Sequence, residues 1–198
     1  IFNLKKVFSL SGEVDYASTL DAIKDDISFK GTTSWVLICS IFIASIGLNT
    51  NSTAVVIGAM LIAPLMGPVL GIGVSLAIND LNLLRNAFLN FLVMVFLSVS
   101  TASLFFLLFP LQQESSELLS RTSPDIRDVF IAFFGGAALA VAKTKKGTIA
   151  SVIYGVAIAT ALMPPLCTIG YGISQLNLKY AVGAFYLSLI HISEPTRL

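Results

Sequence analysis

Ala54–Gly73, which reads AVVIGAMLIAPLMGPVLGIG, occurs a second time in the chain as Ser151–Gly170, which reads SVIYGVAIATALMPPLCTIG. The two stretches align without a gap at an offset of 97 positions. Identical pairs include Val55/Val152, Gly58/Gly155, Leu65/Leu162, Met66/Met163, Pro68/Pro165 and Gly73/Gly170. Apolar composition explains a match between leucines or valines, but it does not readily align the glycines with a Leu-Met-x-Pro core. The pattern therefore predicts an internal repeat.

The composition around this repeat is that of a membrane protein. Of the 198 residues, 56% are hydrophobic and 12% are charged, whereas a soluble domain has about 25% charged residues. The net charge of +1 does not indicate a nucleic-acid partner. Both cysteines, Cys39 and Cys167, lie in apolar runs without metal-ligand spacing, and we interpret them as packing residues.

Six apolar segments cover most of the chain, at about 32–48, 53–78, 87–109, 128–142, 148–174 and from about 180. A membrane span needs about 20 apolar residues. The order of a short, a long proline-interrupted and an ordinary segment occurs once and then starts again. Because three spans per copy is an odd number, the second copy enters the membrane from the opposite side. We predict an all-α polytopic transmembrane protein with about six spans in two inverted three-span repeats.

The two copies define a transmembrane domain at 32–188, with repeat 1 at about 32–110 and repeat 2 at about 128–188. Residues 1–31 are more polar, and Tyr16, Ile23 and Ile27 recur there at helical spacing among charged residues. This predicts an amphipathic helix in a cytoplasmic linker with a truncated N-terminus, at the membrane surface or against a further domain. Residues 189–198 resemble a translated sequencing adapter, so we expect a non-native tail there.

The lysines and arginines of the loops are unevenly distributed. With a cytoplasmic N-terminus, the inner side carries eight of them and the outer side carries three, namely Arg121, Arg127 and Lys179. This bias predicts a multi-pass protein of the inner (plasma) membrane with its N-terminus in the cytoplasm. The alternative is that the proline-interrupted segments are re-entrant hairpins. This alternative places the lysine-rich loop 143–146 on the outer side of the membrane, and the distribution of lysines and arginines argues against it.

The prolines predict that both middle helices are broken. Proline lacks an N–H group and clashes with the carbonyl four residues earlier, and lipid cannot satisfy a freed carbonyl. We expect an ion or substrate site between the two breaks, with backbone carbonyls and the Thr160 hydroxyl as ligands. Its predicted residues are Pro64, Met66, Gly67, Pro68, Thr160, Met163, Pro164 and Pro165. The alternative is a plain kink that neighbouring helices satisfy.

Four polar residues at the ends of the first broken segment are candidates for a gate or vestibule: Asn49, Asn51, Asn79 and Asp80. Asp80 is either an entrance charge or a solvated loop residue. Asn51 or Ser52 is also expected to cap the N-terminus of the second segment.

The sequence lacks the residue patterns of an enzyme site. The second, third and fifth segments contain no charged residue, so no carboxylate is available there for a proton relay. Catalytic Ser–His, zinc-protease and phosphate-loop motifs are absent. We expect no enzyme activity, no cofactor and no metal site. The expected partners are the lipid bilayer and a small ion or solute, and the sequence leaves a homo-oligomer open.

Several motifs resemble a bacterial and archaeal membrane family that is catalogued as domain of unknown function 389. The motifs are Ser28–Thr32, Ile46–Asn49, Ala54–Pro68, Asn79-Asp80 and Ala161–Pro165. The resemblance covers most of residues 28–175 and implies a membrane location, but no established substrate. From the repeat and the breaks we expect a secondary transporter or ion-conducting carrier. A structural or sensory membrane subunit that recruits partners is the alternative.

Overall fold

The structure is a computed structural model of the chain, and it describes residues 16–27, 31–110, 115–120, 122, 126–127, 129–130, 133–134, 137 and 150–193. Within these residues it is all-helical, with eight helices and no strand. The helices are α1 (Tyr16–Ile27), α2 (Gly31–Asn49), α3 (Thr53–Ile62), α4 (Met66–Ala77), α5 (Leu81–Leu108), α6 (Ser116–Leu119), α7 (Ala150–Ser174) and α8 (Leu178–Ser193).

Two helices in the described part of the chain are long and apolar enough to cross a membrane, α2 with 19 residues and α5 with 28. Helices α3 and α4 meet at a bend of 58°. If the two together form one span, they are the third. Large apolar side chains cover the outside of these helices, and Trp35 and Phe96 are 70% and 76% exposed. Such a surface is unfavourable in water and indicates a membrane protein.

The main core lies where α2, α3, α5 and α7 pack together. It contains Leu37 and Ile41 of α2, Met60 of α3, Phe106 of α5 and Cys167 of α7, all at most 2% exposed. This packing depends on two positions at which neighbouring helices come very close to each other. A Cβ atom on Gly47 would lie 2.7 Å from Val56 Cγ2, and one on Gly170 would lie 2.5 Å from Ala102 Cβ. Small residues at such positions let membrane helices approach each other closely.

The first middle helix is broken, as predicted, at Ala63–Leu65. Ala63 is extended, with φ −66° and ψ 125°, because a residue that precedes a proline is disfavoured in the helical region. Helix α4 starts again at Met66 and contains Pro68 in its first turn. The N–H groups of a first turn have no partner inside the helix, so Pro68 removes no helical hydrogen bond. The break is therefore due to Pro64 alone.

The predicted break in the second middle helix is wrong. Helix α7 runs without interruption from Ala150 to Ser174 and includes Pro164 and Pro165. Both prolines are buried, between Met163 (0% exposed) and Leu166 (2%) in the main core. The Thr168 hydroxyl also donates to the Pro164 carbonyl at 3.0 Å. Tertiary packing thus stabilises a helix that the proline pair alone does not favour.

The predicted amphipathic helix is α1, and it packs against the bundle through two of its apolar residues. Ile23 and Ile27 are buried in a second core with Val69 and Ile72 of α4 and Phe91 of α5. The remaining members of this second core are Ala87 and Leu162. Helix α1 therefore packs against the second half of the broken span, because this is where its apolar stripe finds a matching surface.

Three turns between helices share one backbone geometry. In each, a residue with positive φ follows the first helix: Asn51 (52°), Asn79 (56°) and Leu176 (53°). The next N–H group donates to a carbonyl five positions earlier, as in the Schellman motif that closes helix C-termini. The pairs are Ser52 to Gly47 at 2.8 Å, Asp80 to Ser75 at 2.9 Å and Asn177 to Gly172 at 2.8 Å.

The second and third turns lie at equivalent positions when the two similar segments are aligned. The matched helix ends and starts, each 97 positions apart, are Thr53/Ala150, Ala77/Ser174 and Leu81/Leu178. Asp80 Oδ1 accepts from the Asn82 N–H at 3.0 Å, and Asn177 Oδ1 accepts from the Lys179 N–H at 3.1 Å. The two segments therefore share their helix boundaries and their turn.

Several predictions fall on residues outside the described ranges. The loop 143–146, most of the fourth apolar segment and the last five residues lie there. Helix α5 starts at Leu81, before the predicted boundary at 87, and α8 runs to Ser193, past the predicted boundary at 188.

Candidate functional site

The fold brings the break of the first middle helix against α7. Ala63 and Leu65, which flank Pro64, belong to the same buried main core as Met163 and Cys167. Of the predicted site residues, Gly67, Pro68, Met163, Pro164 and Pro165 are buried, and Pro64 and Met66 are half-buried. Thr160 lies in α7, but its side chain is outside the described part, so the proposed hydroxyl ligand stays a prediction.

Backbone carbonyls near this contact lack their usual helical donors. Pro64 has no N–H group for the carbonyl of Met60, whose side chain is 2% exposed. Pro164 and Pro165 likewise cannot donate to the carbonyls of Thr160 and Ala161, four residues before them. A buried carbonyl without a donor is costly in an apolar interior. These three carbonyls therefore lack the N–H donor that a non-proline residue four positions later would supply.

Two buried hydroxyl groups add to this set. Ser45 of α2 and Ser98 of α5 are both fully buried, and neither Oγ atom has a hydrogen-bond partner. Ser45 is flanked by Ala44 of the main core, and Ser98 lies one turn from Met94 and Ala102 of the main core. Each unsatisfied buried hydroxyl requires a physical explanation, such as an ordered water or an ion.

Five other buried serines and threonines in the described helices behave differently. Their hydroxyls donate to carbonyls three or four residues earlier, as is common in helices. These residues are Ser40, Ser75, Thr101, Thr168 and Ser188. The unsatisfied hydroxyls of Ser45 and Ser98 are thus exceptions within this structure.

The Cys167 side chain lies next to one of these hydroxyls. Its thiol is buried and faces Ser45, but Ser45 Oγ makes no hydrogen bond of normal geometry. Sequence reasoning assigned Cys167 to packing and did not select Ser45 or Ser98. A serine in an apolar helix usually bonds to its own backbone, so only the structure identifies the two that do not.

The four candidate gate residues lie at opposite ends of the broken span. Asn51 Oδ1 accepts from the Ser116 hydroxyl at 3.1 Å and from the Glu117 N–H at 3.2 Å. It therefore ties the α2–α3 turn to α6. Asn49 lines an open apolar groove of about 380 Å³ between α2 and α5. Asn79 and Asp80 form the α4–α5 turn at the other end, so the structure does not gather the four residues into one gate.

The expected cap of α3 is not observed, whereas α5 has a cap that was not expected. Ser52 occupies the N-cap position of α3, but its side chain makes no capping hydrogen bond. That prediction is wrong, and the Asn51 side chain binds α6 instead. Asp80 is the N-cap of α5, and its carboxylate accepts from the N–H groups of Asn82 and Leu83, both at 3.0 Å. Sequence reasoning did not predict this role for Asp80.

The cap role of Asp80 can be separated from a gate role by two substitutions. Asp80→Ala removes the cap, and we expect it to lower the free energy of unfolding by about 1 kcal/mol. Asp80→Asn keeps an acceptor for the same N–H groups, so we expect stability close to wild type. A change of flux in the asparagine variant, measured in proteoliposomes, would assign the charge to the gate. Wild-type flux in Asp80→Asn would leave only the cap.

Comparisons with known proteins agree with the resemblance seen in the sequence. Residues 60–193, more than half of the chain, match the family described as a domain of unknown function (DUF389). The chain is also similar to an uncharacterised protein of Methanocaldococcus jannaschii, with 27% identity over 157 residues. That alignment covers 79% of this chain and 48% of the relative, so the chain spans about half the length of that protein. No solved structure matches the chain.

Proposed function

The chain belongs to the family defined by domain of unknown function 389, and from that premise we propose that it is a secondary transporter or ion-conducting carrier. In this proposal, two inverted three-span repeats surround a site beside the broken span. The protein resides in the inner membrane with a cytoplasmic N-terminus. It has no enzyme activity.

The observation that carries the proposal is the set of unpaired oxygen atoms inside an apolar bundle. The carbonyl of Met60 lacks its helical donor, and the buried hydroxyls of Ser45 and Ser98 make no hydrogen bond of normal geometry, although Ser45 lies beside the Cys167 thiol. A protein that only needs to be stable gains nothing from such groups, because each costs about 1–3 kcal/mol when it is buried unsatisfied. A transient polar ligand would offset that cost.

The chemistry of these groups favours a small cation or a solute that donates hydrogen bonds. Carbonyl and hydroxyl oxygens are the ligands of hard cations, and the C-terminal end of α3 at the break carries partial negative charge. No charged side chain lies in α3, α4 or α7. The absence of a carboxylate in these helices favours a monovalent over a divalent ion.

The matching turns support two copies of one unit, and the helix directions support an inversion. Thr53 begins α3 beside α6, since Asn51 binds Ser116 and Glu117. Thr122, shortly after α6, contacts α8, because a Cβ atom on Gly183 would lie 2.6 Å from the Thr122 carbonyl oxygen. Helix α7 ends just before α8, so it runs toward the end of the bundle from which α3 starts.

The test is a flux assay on purified protein in liposomes, with sodium and rubidium tracers and a neutral polar solute as probes. We expect a tracer flux in wild type that falls at least about ten-fold in the double variant Ser45→Ala, Ser98→Ala. Stability should not fall, because each alanine removes an unsatisfied hydroxyl. The control is Ser188→Ala, whose hydroxyl donates to the Ala184 carbonyl at 3.0 Å. Equal flux in the double variant and in wild type would sink the site.

A structural or sensory subunit is the second candidate, and the position of α1 favours it. This helix connects the N-terminal part of the chain directly to the broken span through Ile23 and Ile27. If no probe crosses the liposome membrane while a partner co-purifies in stable amounts, this second function replaces the first.

A further inference from the structure

The C-terminal end of α1 is seated on the first turns of α4, directly after the break. Ile23 and Ile27 are 4% and 3% exposed, whereas the charged residues of α1, Asp21, Lys24, Asp25 and Asp26, are exposed. Among the described side chains of this 12-residue helix, the apolar part of the contact is therefore one narrow stripe. A helix of this length is marginal in isolation, so its order depends on the seat.

Two glycines of α4 shape the seat. A Cβ atom on Gly67 would overlap the backbone carbonyl of Asp26, and one on Gly71 would lie 2.5 Å from Ile27 Cδ1. The backbone of α1 thus packs directly against the backbone of α4 at Gly67. No larger residue fits at Gly67 without moving α1, because the atom it would meet is a main-chain oxygen.

A side chain from a third helix completes the contact. Asn90 of α5 donates from Nδ2 to the Ile27 carbonyl at 3.0 Å. This carbonyl is one of the last four of α1, which have no partner inside the helix. The carbonyl end of α1 also faces the N–H end of α4, and the partial charges of these helix ends attract each other.

We propose that Gly67, Gly71 and Asn90 form a docking site from which α1 can detach, and that docked α1 holds the bend between α3 and α4. Docked α1 contacts the first turn of α4, which directly follows the bend. When α1 detaches, this end of α4 loses the contact and is free to move. The N-terminal segment thereby controls the geometry of the broken span. This inference holds for a carrier or a sensory subunit and does not depend on transport.

The test measures two distances between spin labels on full-length protein in lipid nanodiscs. One pair, Lys24→Cys with Leu89→Cys, reports the docking of α1 on α5. The other, Leu61→Cys with Leu76→Cys, reports the bend. All four positions are exposed, and the background carries Cys39→Ser because Cys39 is exposed while Cys167 is buried. The distances are compared in Gly67→Ala, in Asn90→Ala and in the control Gly58→Ala.

Gly58 is a matched control, since it lies in α3 of the same span and an added Cβ atom would meet nothing within 4 Å. We expect a second, longer α1–α5 distance and a changed α3–α4 distance in Gly67→Ala, and a smaller shift of both in Asn90→Ala. Asn90→Ala retains the glycine seat, so it covers the case in which Gly67→Ala does not fold. The proposal is overturned if α1 detaches while the bend stays unchanged, if neither distance changes, or if Gly58→Ala gives the same shifts.

Discussion

Gly170→Val is expected to remove most of the folded protein, with a loss of about 3 kcal/mol or more in the free energy of unfolding. Even a single Cβ atom at this position would lie 2.5 Å from Ala102 Cβ and 2.9 Å from the Ser103 backbone nitrogen. The Ser103 hydroxyl also donates to the Gly170 carbonyl at 3.2 Å. Helices α5 and α7 would have to separate, and both contribute to the main core.

The measurement is thermal unfolding in detergent, followed by the monodisperse fraction on size exclusion. The control is Gly58→Val, which makes the same replacement at a position where an added Cβ atom would meet nothing within 4 Å. We expect a large drop of the midpoint temperature for Gly170→Val and only a small one for the control. Similar midpoints for the two variants would show that the close α5–α7 approach does not determine stability.

Pro64→Ala is expected to straighten the broken span and to reduce flux at least about ten-fold, which corresponds to about 1.4 kcal/mol in the rate-limiting step. Alanine restores an N–H group for the Met60 carbonyl and releases Ala63 from its extended conformation. The equivalent segment α7 already forms one uninterrupted helix of 25 residues over the aligned positions. A straight helix would both cover the freed carbonyl and move α4.

The control for this prediction is Pro68→Ala. Pro68 lies in the first turn of α4, where its missing N–H group has no helical acceptor, so the bend and the flux should stay close to wild type. The bend is measured by the distance between spin labels at Leu61 and Leu76, and the flux by tracer uptake into liposomes. If Pro64→Ala keeps both the wild-type distance and the wild-type flux, the break has another cause and no role in transport.

The sequence predicted those parts of the fold that depend on interactions between residues close together in the chain. The alignment of Ala54–Gly73 with Ser151–Gly170 predicted corresponding segments, and the outer helix ends of the two segments match in the structure. The proline at position 64 predicted the first break, and the apolar spacing of residues 16–27 predicted α1. These features depend on backbone hydrogen bonds and on periodicity, which are properties of neighbouring residues.

The candidate site was less accessible to sequence reasoning. Ala63 and Leu65 at the break share the main core with Met163, but the predicted site at this contact stays a prediction. The hydroxyls of Ser45 and Ser98 were missed. Whether a serine in a helix bonds to its own backbone or remains unpaired depends on its rotamer and its surroundings, and the sequence contains neither.

By itself, the sequence determined that the chain is apolar, and it predicted the helices, two similar segments and the break at Pro64 in the first of them. These outcomes follow from composition, from spacing and from the missing N–H group of proline. Only the tertiary structure decided that Pro164 and Pro165 remain inside one continuous helix, that α1 packs on Gly67 and Gly71, and which hydroxyls are left unsatisfied. The physical reason is that each depends on contacts between residues far apart in the chain, where burial against another helix outweighs the local preference.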